Sequence, residues 1–506
     1  MKPLAPLLVA IAVALAHPAR ADSPPVDFGP LAKLVATTNT AIGHPTGMAI
    51  AVVHDGKVVY QDYVGLADIA RRTPVTARTD FYIASATKPF TALEVLLKVQ
   101  QGQADLAMPV QAMFPGLHFA GIDAGAVTLR DLLVHTSGID NEPLVWATAF
   151  SGLHDPDTLR ALVARSGTSA EDAHGTFEYT NVGYNIASVW LDARFKRPWQ
   201  AQLQQDVFEP LDMRQTSAYI SQAQARGWAM ALPYSLASDD PQAPLYLTKS
   251  DDTMQAAGGM VSTAPDLARF LIAQLEPPAG NHPSLAGAIE RSHATQVDLK
   301  ARYLDFERTG YALGWYTGEY KGHRLLHHFG GFAGFHAHLS LMPDENAGLV
   351  VLCNEDMLCP RMTNLVADYV YGALLRQTGN EAAVAKRFAA LPGEATGLRQ
   401  QVRRQRAAIR ARPWHLTLPR EAYAGTYANP LLGTMRIHVD RHGAMAIHWG
   451  RLHAVATGYP KDDQVRVELV PNSGNVMAFQ VDHGKVVAVR LEDMVFAKPA
   501  DNTDRH

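Results

Sequence analysis

The sequence predicts an α+β protein with a small all-β domain at its C-terminal end, and three observations carry that reading. Near the start, Met48-Ala-Ile-Ala-Val-Val53 and Val58-Val59-Tyr60 flank Asp55-Gly56. Two apolar runs around Asp-Gly form a strong hairpin signal, because that pair tolerates the left-handed turn a tight hairpin needs. A second hairpin is expected where a run beginning at His338 ends at Met342 and Gly348-Leu-Val-Val-Leu-Cys353 follows. Pro343-Asp344-Glu345-Asn346 supplies its turn. Helical patterns lie between these hairpins, so the expected sheet is antiparallel, with its first and last strands as neighbours, and not a βαβ repeat. Third, from Trp414 onward the chain reads as short alternating strands: Met435-Arg-Ile-His-Val439, Ala444-Met-Ala-Ile-His-Trp449, Val465-Arg-Val-Glu-Leu469 and Val486-Val-Ala-Val489. Their spacing suits a small barrel or sandwich.

Composition narrows the function classes. The chain has 506 residues, 47% hydrophobic and 19% charged, which fits a globular protein of several domains. Lys and Arg number 45 against 49 acidic residues, for a net charge of −4. That balance excludes a globally basic nucleic-acid binder, and no nucleic-acid partner is expected. Two cysteines cannot build a disulfide scaffold. Cys353 and Cys359 are close enough to bridge in an oxidising compartment, with a buried free thiol at Cys353 as the alternative.

Residues 1–21 read as a cleavable leader: Lys2, an apolar run from Leu4 to Ala16, and Ala19-Arg20-Ala21 before Asp22. The expected location is therefore periplasmic or secreted. No later run reaches the length of a membrane span. The expected division is a leader over 1–21, a main domain over 22–375, an Arg-rich helical linker over 376–413 and the β domain over 414–506. The linker carries Arg399, Arg403, Arg404, Arg406, Arg410 and Arg412. A solvated connecting helix is the expected reading, with a surface for anionic lipid or polymer as the alternative.

Three short motifs carry chemistry. Ser85-Ala86-Thr87-Lys88 precedes Pro89 and an apolar helical run to Lys98. Residues three apart share a helix face, so Lys88 is expected beneath the Ser85 hydroxyl. A serine needs a base to become a nucleophile, and a desolvated lysine can be that base. Tyr179-Thr180-Asn181 offers a phenol for proton transfer and an amide to hold a carbonyl. His328-Phe329-Gly330-Gly331 precedes the second hairpin, where glycines permit close approach to a strand edge. Taken singly these are weak signals: Tyr427-Ala428-Asn429 repeats the second pattern, and His54-Asp55-Gly56 repeats the third.

Order and surroundings give them specificity. Together they resemble the class C β-lactamase and penicillin-binding-protein family of serine hydrolases. The likeness also covers Phe81-Tyr-Ile-Ala-Ser-Ala-Thr-Lys88, Thr128-Leu-Arg-Asp-Leu-Leu-Val-His-Thr-Ser-Gly138, Gly175-Thr-Phe-Glu-Tyr-Thr-Asn181, Ala257-Gly-Gly-Met-Val-Ser-Thr263 and Tyr311-Ala-Leu-Gly-Trp315, in order, over roughly residues 28–375. The tail is similar to a small β domain found behind some of these hydrolases. The resemblance implies a β-lactamase/transpeptidase-like fold and a site without metal or organic cofactor. It implies Ser85 as the acylated nucleophile, Lys88 as its proton partner and Tyr179 as general base or acid. Asn181 and His328 would contact substrate, and the backbone N–H groups of Ser85 and Gly331, beside Gly330, would form the oxyanion hole.

The third block departs from the Lys-Thr-Gly of β-lactamases. His328 is largely neutral at pH 7 and Phe329 offers no hydrogen bond, so a substrate carboxylate loses two partners. Small neutral esters, amides or peptides are therefore the expected substrates. A D-Ala-D-Ala-type carboxypeptidase, a weak β-lactamase and a catalytically silent binding protein are the alternatives. His323, His327, His328, His336 and His338 crowd together, yet no carboxylate or Cys is spaced to complete a metal set, so no metal is expected. Oligomeric state is left open by the sequence.

Overall fold

The structure is a computed structural model and describes residues 26–169 and 173–499. The leader expected over 1–21 lies outside the described residues. Helix α1 (Gly29–Ile42) leads into the hairpin β1 (Met48–His54) and β2 (Lys57–Val64). Its turn places Asp55 at φ 50° and Gly56 at φ 70°, the left-handed pair the sequence anticipates. Three helices of the next stretch matter to the site: α2 (Lys88–Gln100), α3 (Val182–Phe195) and α4 (Ala264–Leu275). Six strands follow: β3 (Val297–Tyr303), β4 (Phe306–Tyr311), β5 (Tyr316–Tyr320), β6 (His323–Phe332), β7 (Phe335–Met342) and β8 (Ala347–Cys353).

These strands form one antiparallel sheet in the order β3-β4-β5-β6-β7-β8-β1-β2. The end of the region thus returns beside its beginning, with Met48 opposite Cys353 and His54 opposite Ala347. Alternation along β1 divides the core: Ala49, Ala51 and Val53 enter one cluster, Met48, Ile50 and Val52 the other. Both faces are covered, which is why β1 and β8 are apolar almost throughout. Phe90 and Leu93 of α2 and Phe270 of α4 cover one face. Leu31 and Val35 of α1, with α5 (Cys359–Leu374) and the start of α6 (Asn380–Arg410), cover the other. Cys353 and Cys359 form a disulfide that ties β8 to α5.

Helix α6 differs from a purely solvated connector. Val384, Phe388 and Leu391 on its first turns are buried in the core. Further along, Arg406 Nε donates to the Ala237 carbonyl at 2.8 Å, and Arg410 pairs with Asp239. Few acids lie nearby in sequence, but the fold brings them from a distant loop.

The tail is a barrel-like meander: β9 (Gly425–Asn429), β10 (Gly433–Val439), β11 (Met445–Trp449), β12 (Leu452–Val455), β13 (Thr457–Gly458), β14 (Gln464–Val467), β15 (Asn475–Asp482), β16 (Lys485–Leu491) and β17 (Met494–Ala497). The last strand pairs with the first at Ala428 and Ala497, which separates a barrel from a sandwich. Alternate residues such as Tyr427, Met435, Ile437, Ile447 and Phe496 fill the interior. The barrel docks on the main domain through Trp146 stacked 5.5 Å from Trp449, Trp146 Nε1 donating to Glu492 at 3.2 Å, and Arg451 N donating to the Ser151 carbonyl.

Candidate active site

The short strand Thr79–Tyr82 pairs with Val261–Ser262 and delivers the chain into a 3₁₀ turn, Ala84–Thr87, that runs on into α2. Ala84 has φ 46°, an uncommon left-handed conformation for a residue with a Cβ, and it lifts Ser85 at the mouth of the turn. Strand β6 packs directly on this turn. A Cβ at Gly330 would stand 1.8 Å from the Ile83 carbonyl, so only glycine permits the approach. Gly331, the next residue, faces open space.

Lys88 sits one turn below Ser85, fully buried, with Nζ 3.2 Å from Ser85 Oγ. It donates to Asn181 Oδ1 at 2.8 Å and to the Ala257 carbonyl at 2.9 Å. Burial holds its pKa well below the ordinary lysine value. A neutral amine has two N–H bonds and one lone pair. In that form the two N–H bonds match the Asn181 and Ala257 acceptors and the lone pair faces Ser85, whereas the protonated amine donates to all three oxygens.

Tyr179 stands over this group, with its ring centroid 4.8 Å from Lys88 Nζ. Although 38% of the residue is exposed, desolvation pushes its phenol pKa up, and a hydrogen bond with Ser85 pulls the other way. Asn181 spends its carbonyl on Lys88 and precedes α3. The fold therefore brings Ser85, Lys88, Tyr179 and Asn181 into one cluster. His328, Gly330 and Gly331 line the same cavity of about 570 Å³ as Ser85 and Tyr179.

His328 is buried and neutral: desolvation first, then Lys88 and Arg308 nearby, hold its pKa well below the usual histidine range. Its Nδ1 donates to the Phe329 carbonyl at 3.0 Å. The Phe329 ring joins His327 at 4.5 Å and His338 at 4.6 Å in an aromatic cluster. His336 and His338 are likewise buried with lowered pKa values, while His323 pairs with Glu345. Among the described residues, no group of three or more His, Cys, Asp or Glu is arranged to hold a metal ion.

Two side chains important to this geometry were not singled out by motif reading. His135, at φ 62°, packs its ring 4.6 Å from that of Tyr179. Its Nδ1 accepts from Thr180 N at 3.3 Å and its carbonyl accepts from Glu178 N at 2.8 Å, so it clasps both neighbours of the tyrosine. Its place inside the block Thr128–Gly138 was the available signal. Arg308, on β4, carried none. Its guanidinium lies 3.6 Å over the Tyr316 ring, Nε donates to His327 at 3.5 Å, and it lines the cleft. Among the described residues no carboxylate pairs with it.

The arrangement agrees with comparisons to known proteins. A family model described as Beta-lactamase matches residues 32–362. Protein flp of Staphylococcus aureus (strain N315) is 28% identical over 318 residues, covering 62% of this chain and 60% of its own. Unguisins hydrolase ungD of Aspergillus violaceofuscus is 28% identical over 333 residues, covering 61% of this chain and 58% of its own. The chain thus spans about 60% of the length of these curated relatives. An octameric penicillin-binding protein homologue from Pyrococcus abyssi superposes with a TM-score of 0.59 at 20% identity, over 93% of this chain and 100% of that one. A structure described as SurE gives 0.52 at 19% identity, over 92% and 98%. At these identities the solved structures show the fold alone. With a family model matched across more than half its length and the fold in agreement, this chain belongs to the Beta-lactamase family.

Proposed function

We propose that the chain is a serine hydrolase that acts through an acyl-enzyme on small esters, amides or peptides. The observation that carries this reading is the environment of Lys88: a fully buried amine with its pKa held well below the ordinary value, 3.2 Å from Ser85 Oγ and fixed by the Asn181 and Ala257 oxygens. Lys88 accepts the Ser85 proton as Oγ attacks the substrate carbonyl. The backbone N–H groups of Ser85 and Gly331 hold the oxyanion, and the open space beside Gly331 leaves room for it. Tyr179 carries the proton to the leaving group, and the amide of Asn181 orients the substrate. Water then releases the acyl group by the reverse path. The leader-like start and the Cys353–Cys359 bridge support an exported, periplasmic or secreted protein.

A second reading, a D-Ala-D-Ala-type carboxypeptidase, is favoured by Arg308. The expectation of neutral substrates rested on the loss of Lys-Thr in the third block. Arg308 returns a permanent, unpaired cation to the cleft from another strand, suited to a peptide's terminal carboxylate. The test is a panel of short-chain esters, D-amino-acid peptides with free or amidated C-termini, and a chromogenic cephalosporin, followed by turnover and intact mass. Ser85→Ala is expected to abolish turnover and mass gain without loss of thermal stability, and Lys88→Ala to lower kcat about 10²–10⁴-fold. Unimpaired turnover in Ser85→Ala overturns the assignment. Faster cleavage of the free-carboxylate peptide than of its amide selects the carboxypeptidase reading.

A further inference from the structure

The C-terminal barrel reaches the catalytic cleft. Pro471 and Asn472, from the loop between β14 and β15, line the cavity that holds Ser85 and Tyr179. This loop is held in place from several directions. Asn472 Nδ2 donates to Ser235 Oγ at 3.2 Å, and its Oδ1 accepts from Arg406 of α6 at 2.7 Å. Its backbone N donates to Glu468 Oε2 at 3.1 Å, and Glu468 itself pairs with Arg406 and Arg466. Tyr246 donates to the Leu469 carbonyl. Asn472 adopts φ 65°, a conformation asparagine tolerates better than most residues. Ser235, its partner across the seam, neighbours Asp356. Asp356 in turn accepts from Gly334 N at 2.9 Å, in the turn of the β6–β7 hairpin that carries Gly330 and Gly331. The loop and the hairpin that shapes the site therefore line the same cavity.

We infer that Pro471 and Asn472 form a fixed wall of the substrate cleft, so that the barrel limits the length of the acyl or leaving group bound on that side. This inference rests on the serine-hydrolase reading above and adds the element that selects among its substrates. Both polar ends of the Asn472 amide are already satisfied by protein. Its contribution to the cleft is therefore steric, and a wall of this kind excludes long groups without binding short ones tightly. Extended polymers threaded past both sides of Ser85 are excluded for the same reason. Compact esters and terminal residues of short peptides fit. Arg406 acts as a positioning residue for the wall.

The experiment compares kcat/KM for p-nitrophenyl acetate and p-nitrophenyl octanoate in the full-length protein, with Ser85→Ala as the blank. Opening the wall with Pro471→Ala plus Asn472→Gly is expected to raise the octanoate-to-acetate ratio about tenfold, the scale on which apolar pocket size discriminates. Glycine accommodates the φ of Asn472, so the turn itself is not strained, although the amide bonds to Ser235 and Arg406 are lost. Pro471→Phe is expected to lower the ratio, and this opposite change keeps the test decisive if one variant folds poorly. Arg406→Ala, which releases the wall without altering its lining, is expected to shift the ratio in the same direction as the opened variant. A Ser85-dependent ratio that stays the same in every variant overturns the wall and leaves the hydrolase reading standing. Absence of any Ser85-dependent turnover, on these esters and on the peptide and cephalosporin panel alike, overturns both.

Discussion

Tyr179-Thr180-Asn181 and Tyr427-Ala428-Asn429 spell the same pattern in two regions of one chain, and the fold gives them opposite work. Tyr179 is 38% exposed and stands at the cleft beside Ser85 and Lys88. Tyr427 is wholly buried inside the barrel, where its hydroxyl donates to the Tyr423 carbonyl at 2.7 Å. Asn181 accepts from the buried amine of Lys88. Asn429 instead accepts from Leu431 N and Leu432 N, closing the turn between β9 and β10, and donates to the Val495 carbonyl of β17. A phenol and an amide two residues apart are equally fit for proton transfer and for satisfying backbone groups. The neighbours brought by tertiary packing choose between the two.

The sharpest way to break this comparison is to remove one hydroxyl from each tyrosine. Tyr179→Phe is expected to lower kcat about 10²–10⁴-fold with little change in thermal unfolding. Tyr427→Phe is expected to leave turnover intact and to cost about 1–3 kcal/mol of stability, because a buried carbonyl loses its donor. Steady-state kinetics and denaturant melts on both variants decide it; a kinetic defect in Tyr427→Phe of the same size would erase the distinction. The asparagines should divide in the same way with smaller effects. Asn181→Ala is expected to lower kcat/KM by about tenfold or more and to lower the apparent pKa of the rising limb of the rate profile, because the carbonyl that accepts from Lys88 and favours its protonated form is gone. Asn429→Ala is expected to lower stability by about 1 kcal/mol through its lost turn bonds, with an unshifted pH profile.

A third test concerns Lys249, which is buried near the docked barrel. It donates to the carbonyls of Ala149 and Thr253 and lies 3.9 Å over the Phe332 ring. Burial lowers its pKa to about 7. In the unfolded chain the amine keeps its proton up to its ordinary value of 10.5, so unfolding between these limits takes up a proton. Stability from this group therefore rises with pH from about 7 toward about 10 and is lost as pH falls through 7. Denaturant midpoints at pH 7 and 9 are expected to differ less in Lys249→Met than in the native chain. Equal pH dependence in the two would remove Lys249 from the account.

Much of the fold was legible because its signals are local. Asp55-Gly56 and Pro343–Asn346 mark their own turns, and the apolar runs of β1 and β8 show that both faces of those strands are covered. The pairing of Ser85 with Lys88 was legible for the same reason, since three residues along a helical turn bring side chains together without help. The alternation after Trp414 marked strands and left barrel and sandwich undecided. That choice depends on Ala428 meeting Ala497 at the two ends of the domain. Arg308 carries no local signal, because an arginine on a strand reads as a solvated residue unless the strand order is known.

By itself, then, the amino-acid order determined the strands, the turns, the pairing of Ser85 with Lys88, and the family, because each depends on periodicity, backbone preference or blocks that survive in linear order. Tertiary structure alone decided which Tyr-x-Asn faces the serine and that His135 clasps it. It also decided that Arg308 enters the cleft and that the barrel supplies Pro471 and Asn472 as a wall. These contacts join segments far apart in sequence. Their chemistry arises from burial and from the absence or presence of partners, and neither property belongs to a residue until the chain has folded around it.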